Sequence, residues 1–165
     1  MCAWGADFAA LAACTPHVVF EELERRCTIP LLSIVEATRE RALQLGVKRA
    51  ALFGTRFTMQ GEFFPSAFRR SGMALIAPSP IEQDYIHGIY FHELVKGIVE
   101  ATTRERLMGI VDGLKQREGI EALILGGTEL SLIFSGDSAC GIPLLDSTEI
   151  HVAAITDRML QDAGV

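Results

Sequence analysis

Short apolar runs ending in small or polar residues recur along the chain: Phe8 to Ala13, Ile29 to Ser33, Arg49 to Gly54, Met73 to Ala77, Glu121 to Gly126 and Ile142 to Leu145. Each reads as a buried strand. Between them lie stretches with helical spacing of apolar positions and exposed charge. These predict helices over Val18 to Arg26, Ile34 to Leu45, Tyr85 to Glu100, Thr103 to Gln116 and Thr148 to Gln161. Strand and helix alternate, and parallel strands need crossover connections, so the pattern predicts a mainly parallel sheet with helices on its faces. Gly46, Gly72 and Gly119 each follow a helical stretch and precede a strand, where a glycine stops a helix.

Composition narrows the class. At 165 residues the chain fits one ordinary domain, or one small domain plus pieces of another. It is 49% hydrophobic and 22% charged, and no apolar run approaches the ~18 residues of a membrane span. A soluble protein without a membrane partner is expected. A net charge of −6 and the absence of a Lys/Arg cluster argue against nucleic acid as a partner. Cys2, Cys14, Cys27 and Cys140 form no CxxC pair, which points away from a zinc site or a disulfide framework and toward a reducing, cytoplasmic setting. Met1 to Asp7 lacks the basic and apolar regions of a secretory signal. His87 and His92 are five residues apart on an expected helix and do not stack, so no metal is predicted.

In open α/β sheets ligands gather at the carboxyl ends of strands, where helix N-termini present unpaired N–H groups. Four strand ends carry candidate chemistry. Ala13-Cys14-Thr15-Pro16-His17 places a thiol, a hydroxyl and an imidazole within four residues, a group able to move protons if the thiol's pKa is lowered. In the competing assignment Thr15 caps a helix, Pro16 sits in its first turn and Cys14 is a small buried residue. Gly126-Gly127-Thr128-Glu129 offers close backbone approach, a hydroxyl and a carboxylate, or simply a glycine turn with Thr128 as cap. Gly54-Thr55-Arg56-Phe57-Thr58 supplies two hydroxyls and a guanidinium suited to a carboxylate, against an exposed Arg56 and a helix-capping Thr58. Leu145 to His151 closes a strand and opens a helix capped by Ser147 or Thr148, with His151 about one turn inside.

Taken in order, Gly5-Ala6-Asp7-Phe8, Ala13 to His17, Gly54-Thr55 to Thr58, Leu123 to Glu129 and Pro143 to His151 resemble the aspartate/glutamate racemase superfamily over nearly the whole chain. The resemblance implies a three-layer α/β sandwich with mainly parallel sheets, organised as two Rossmann-like domains facing each other across a cleft. It also implies cofactor-independent proton transfer at Cα of an acidic amino acid or related dicarboxylate. Members of that superfamily use one cysteine from each domain, because a planar carbanion flanked by an acid on each face can be reprotonated with either handedness.

Here the first motif, usually Cys-Asn-Thr, appears as Ala13-Cys14-Thr15, and the second, usually Gly-Cys-Thr, as Gly126-Gly127-Thr128. Both usual thiol positions are therefore occupied by other residues. On the family pattern Cys14, His17 and Glu129 become the catalytic candidates, and Thr15, Thr55, Thr58, Gly127, Thr128 and His151 the substrate-binding ones. The family's chains begin earlier, so residues 1–33 with 146–165 are expected to be the remnant of an incomplete first domain, and 34–145 the second. A partial sheet exposes an edge unless another subunit covers it, so a homo-oligomer is expected. The expected function is an amino-acid racemase-type isomerase. Two alternatives stand beside it: an inactive homologue that binds small carboxylates or a protein partner, and another isomerisation or decarboxylation of a small diacid.

Overall fold

A computed structural model describes residues 5–162. Cys2 and the outermost parts of the 1–33 and 146–165 segments lie outside the described residues. In chain order the elements are β1 (Ala9–Ala10), a 3-10 turn (Thr15–Val19), α1 (Phe20–Arg26), β2 (Leu31–Leu32), α2 (Ile34–Gln44), β3 (Arg49–Gly54), α3 (Arg56–Gln60), α4 (Phe63–Arg69) and β4 (Ala74–Ile76). They continue with α5 (Pro80–His92), a 3-10 turn (Leu94–Lys96), α6 (Ala101–Glu118), β5 (Ala122–Gly126), a 3-10 turn (Thr128–Leu132), β6 (Ser138–Ala139), β7 (Ile142–Asp146) and α7 (Ser147–Asp162).

The main sheet has five strands in the order β4-β3-β5-β7-β6, parallel except for the β6–β7 pair. Alternation along its central strands builds two cores. Ala51 and Phe53 of β3, with Leu123 and Leu125 of β5, pack under α5 and α6 against Ile86, Ile89, Leu107, Val111 and Leu114. Ala50 and Leu52, with Ala122 and Ile124, face the opposite way onto Ile34, Ala42, Phe64, Ala67 and Phe68 of α2 and α4. The result is a three-layer α/β sandwich. β1 and β2 form a separate parallel pair.

Several boundaries differ from expectation. The first strand shrinks to two residues because the chain turns at Ala13 into a 3-10 helix. The helix expected over Tyr85 to Glu100 starts earlier, at Pro80, where the Glu82 carboxylate accepts the Ser79 N–H at 2.8 Å. It ends at His92 and gives way to the 3-10 turn Leu94–Lys96, which stops at Gly97 with φ +72°. α4 and β6 were not expected from the pattern, being too short for periodicity to register, and α3 starts at Arg56 rather than after Thr58. Gly46, Gly72 and Gly119 do take left-handed φ values of +70°, +70° and +63° at their helix ends. α7 packs along α2 and also reaches the first segment, since Ala154 and His151 line one cavity with Phe20 and Leu31. Among the described residues no helix is long and apolar enough to cross a membrane.

Candidate active site

The ends of β3 and β5 meet with almost no clearance. Gly54 and Gly126 are register partners, and a Cβ on Gly54 would lie 2.8 Å from the Gly126 carbonyl oxygen and 3.0 Å from Thr58 Cβ. Only hydrogens at these two positions let α3 seat directly on the strand ends. Thr55 caps α3, its hydroxyl accepting the Thr58 N–H at 3.3 Å, so the capping role expected for Thr58 belongs to Thr55. The same hydroxyl is 3.2 Å from Thr58 Oγ1, and Thr15 Oγ1 lies 3.4 Å from both. Three threonines from two distant parts of the chain thus converge. Thr55 and Thr58 are buried, whereas Thr15 is only partly so. Thr15 also faces a hollow of about 280 Å³, walled by Val18, Arg56, Phe57, Gln60 and His87. Arg56, at the rim, is ion-paired to Asp84 at 2.6 Å.

Across the strand ends, Gly127 leaves room that Tyr90 takes. A Cβ at Gly127 would be 2.7 Å from Tyr90 Cε2 and 2.8 Å from the Tyr90 hydroxyl oxygen. That hydroxyl donates to Glu129 Oε2, and Thr128 Oγ1 donates to the same oxygen at 2.6 Å. Burial opposes the Glu129 charge, but the hydrogen bonds from Thr128, Tyr90 and its own backbone together hold its pKa below the ordinary carboxylate value. Tyr90 shifts upward, through burial first and then its bond to Glu129. The pair rests as phenol and carboxylate at neutral pH.

The remaining candidates are drawn elsewhere. Cys14 is buried in the core shared with Ile34 and Leu145. Ser147 Oγ donates to the Leu125 carbonyl at 2.6 Å, which leaves the Cys14 thiol, 3.4 Å away, to donate to Ser147. Burial pushes that thiol up to about 11, the Ser147 bond opposing and the Asp146 charge adding. Cys14, a catalytic candidate from the sequence, thus sits as a buried thiol in that core. Ala13, by contrast, is exposed.

His17 is held at both ring nitrogens. Its Nδ1–H donates to the Ala13 carbonyl at 2.9 Å, its Nε2 accepts the Ile34 N–H at 3.3 Å, and its ring stacks on Phe20 at 4.8 Å. With both nitrogens engaged it clamps the 13–17 turn to the start of α2. His151 is buried as well and lines, with His17, a different cavity of about 560 Å³ rather than the threonine hollow. α7 is capped by Asp146, whose Oδ1 accepts the Thr148 and Glu149 N–H groups at 2.8 and 3.2 Å, not by Ser147 or Thr148.

Burial lowers the pKa of both His17 and His151 below the ordinary 6.5. The folded state therefore binds these protons less readily than the unfolded chain. Their contribution is fully present above pH 6.5 and is lost as pH falls through the lowered folded-state values. Melting temperature is expected to be level from pH 8 to about 6.5 and to fall below it, and His151→Gln should make the decline shallower; thermal unfolding across that range measures both.

Sequence reasoning missed Tyr90. It falls within an expected helix, where its aromatic character alone signals core. Only the placement of α5 over the end of β5 reveals that it stands in the space of residue 127.

Residues 1–155 match the Asp/Glu/hydantoin racemase family model. The chain belongs to that family. It is 25% identical over 150 residues to the broad specificity amino-acid racemase RacX of Bacillus subtilis (strain 168), covering 87% of this chain and 61% of that protein. An aspartate racemase homologue from Pyrococcus horikoshii OT3 superposes with a TM-score of 0.84 at 34% identity, over 93% of this chain and 67% of that one. An aspartate racemase from Picrophilus torridus, at 22% identity and a TM-score of 0.74, shares the fold. The chain thus spans about three fifths to two thirds of the length of these proteins.

Proposed function

We propose that this family member binds an acidic amino acid or related dicarboxylate in the threonine hollow and exchanges the proton on Cα from one face, the half-reaction of a racemase-type isomerase without opposed thiols. The carrying observation is the convergence of Thr15, Thr55 and Thr58 at the end of β3, one strand from Gly127, Thr128 and Glu129 at the end of β5. Hydroxyls backed by one another and beside helix α3 suit a carboxylate oxygen. Thr15 would meet the ligand, with Thr55 and Thr58 orienting it, and the β1–β2 unit would form the opposite wall of the cleft. In this reading no cofactor takes part.

Neither exposed Ala13 nor Gly127 can carry a proton, which is why a single face is proposed. Incubation with L- and D-aspartate or glutamate in deuterated water, followed by chiral chromatography, tests the reading. The expected result is deuterium at Cα of one enantiomer without accumulation of the other; calorimetric binding with no deuterium uptake would favour a carboxylate-binding homologue instead. Loss of a hydrogen bond to a charged group costs about 1.5–3 kcal/mol. Thr15→Val is accordingly expected to weaken aspartate binding roughly 10- to 100-fold by calorimetry while changing stability little.

A further inference from the structure

The reading above leaves open which group moves the proton, since the usual thiol positions hold Ala13 and Gly127. We infer that the Tyr90 hydroxyl is the proton carrier on the sheet side of the cleft, with Glu129 as the positioning residue that takes up and returns the proton through it. This rests on the one-face exchange reading. The supporting geometry is independent of it. The phenol oxygen lies 2.8 Å from where a Cβ at Gly127 would be, so it occupies the neighbourhood from which a side chain at that position would act. It already donates to Glu129 Oε2, which Thr128 also holds. His87, which walls the threonine hollow, lies on α5 three residues before Tyr90, and residues three apart share a helix face.

The step balances without a co-reactant. The Cα–H bond breaks and its electron pair stays on the substrate, delocalised into the adjacent carboxyl group. The Cα proton forms a new bond to Tyr90 Oη while the proton already on Oη passes to Glu129 Oε2. Tyr90 begins and ends neutral, and Glu129 changes from carboxylate to carboxylic acid. Return runs the same two transfers backwards onto the same face. The upward shift of Tyr90 and the downward shift of Glu129 fit this resting state.

The test compares wild type, Tyr90→Phe and Glu129→Gln for deuterium uptake at Cα of L- and D-aspartate, with Kd from calorimetry and folding from thermal melts. Positioned acid–base groups typically contribute 10²–10⁴-fold. Tyr90→Phe keeps the ring and is expected to lower kcat for exchange at least about 100-fold with Kd within about threefold. Glu129→Gln should lower kcat and abolish the acid limb of its pH profile, which a merely structural role would not do. Exchange by Tyr90→Phe within about threefold of wild type, or an unaltered acid limb in Glu129→Gln, overturns the inference and leaves the one-face reading standing. Wild type that binds no aspartate and exchanges no proton overturns both.

Discussion

Replacing His17 by alanine is expected to cost the fold on the order of 3–5 kcal/mol, a large share of the ~5–15 kcal/mol that holds a domain together. The imidazole joins two segments through both nitrogens, to the Ala13 carbonyl and the Ile34 N–H, and stacks on Phe20. Without it a buried N–H loses its acceptor, at about 1–3 kcal/mol. The space left by the ring adds a cavity cost. Urea unfolding should show a lower midpoint at an unchanged slope. Aspartate affinity should fall as well, because Thr15 sits within the turn that His17 clamps. If His17 were instead a solvent-facing proton carrier, the substitution would reduce exchange and leave the midpoint where it was.

Gly127→Cys, which adds a thiol just past the end of β5, is expected to destabilise the protein by about 1–3 kcal/mol and to yield no racemase activity by itself. Its Cβ would fall 2.7–2.8 Å from the Tyr90 ring and hydroxyl, closer than packed atoms sit. The tyrosine is buried among Ile86, Ile89 and Leu94 and has little freedom to move aside. In a Tyr90→Ala background the same substitution should cost less than about 0.5 kcal/mol, and the difference is the coupling that a double-mutant cycle reads. Equal costs in both backgrounds would mean that the ring yields freely.

Much of the architecture was legible in the chain. The unbroken apolar runs of Arg49 to Gly54 and Glu121 to Gly126 identified the central parallel strands, because strands covered on both faces need no polar alternation. The strand ends likewise pointed to the threonines, which the fold brings together. Side-chain direction was the less readable part. Cys14 and Thr15 are adjacent in sequence, yet one enters the core and the other faces the hollow. His17 was a candidate proton carrier and His151 a candidate substrate contact, but residue type does not record that both are buried in the fold. Tyr90 had no motif at all, and its place depends on a helix crossing over a glycine.

Tyr90 in the space beside Gly127 also makes the order of sequence change matter. A chain with this pair that takes up a cysteine at 127 first passes through an overpacked intermediate, whereas one that first shrinks residue 90 opens a hole in its core. Either route is a fitness valley two substitutions wide. Such a pair acts as a ratchet, so that a change at either position is penalised until the other has changed.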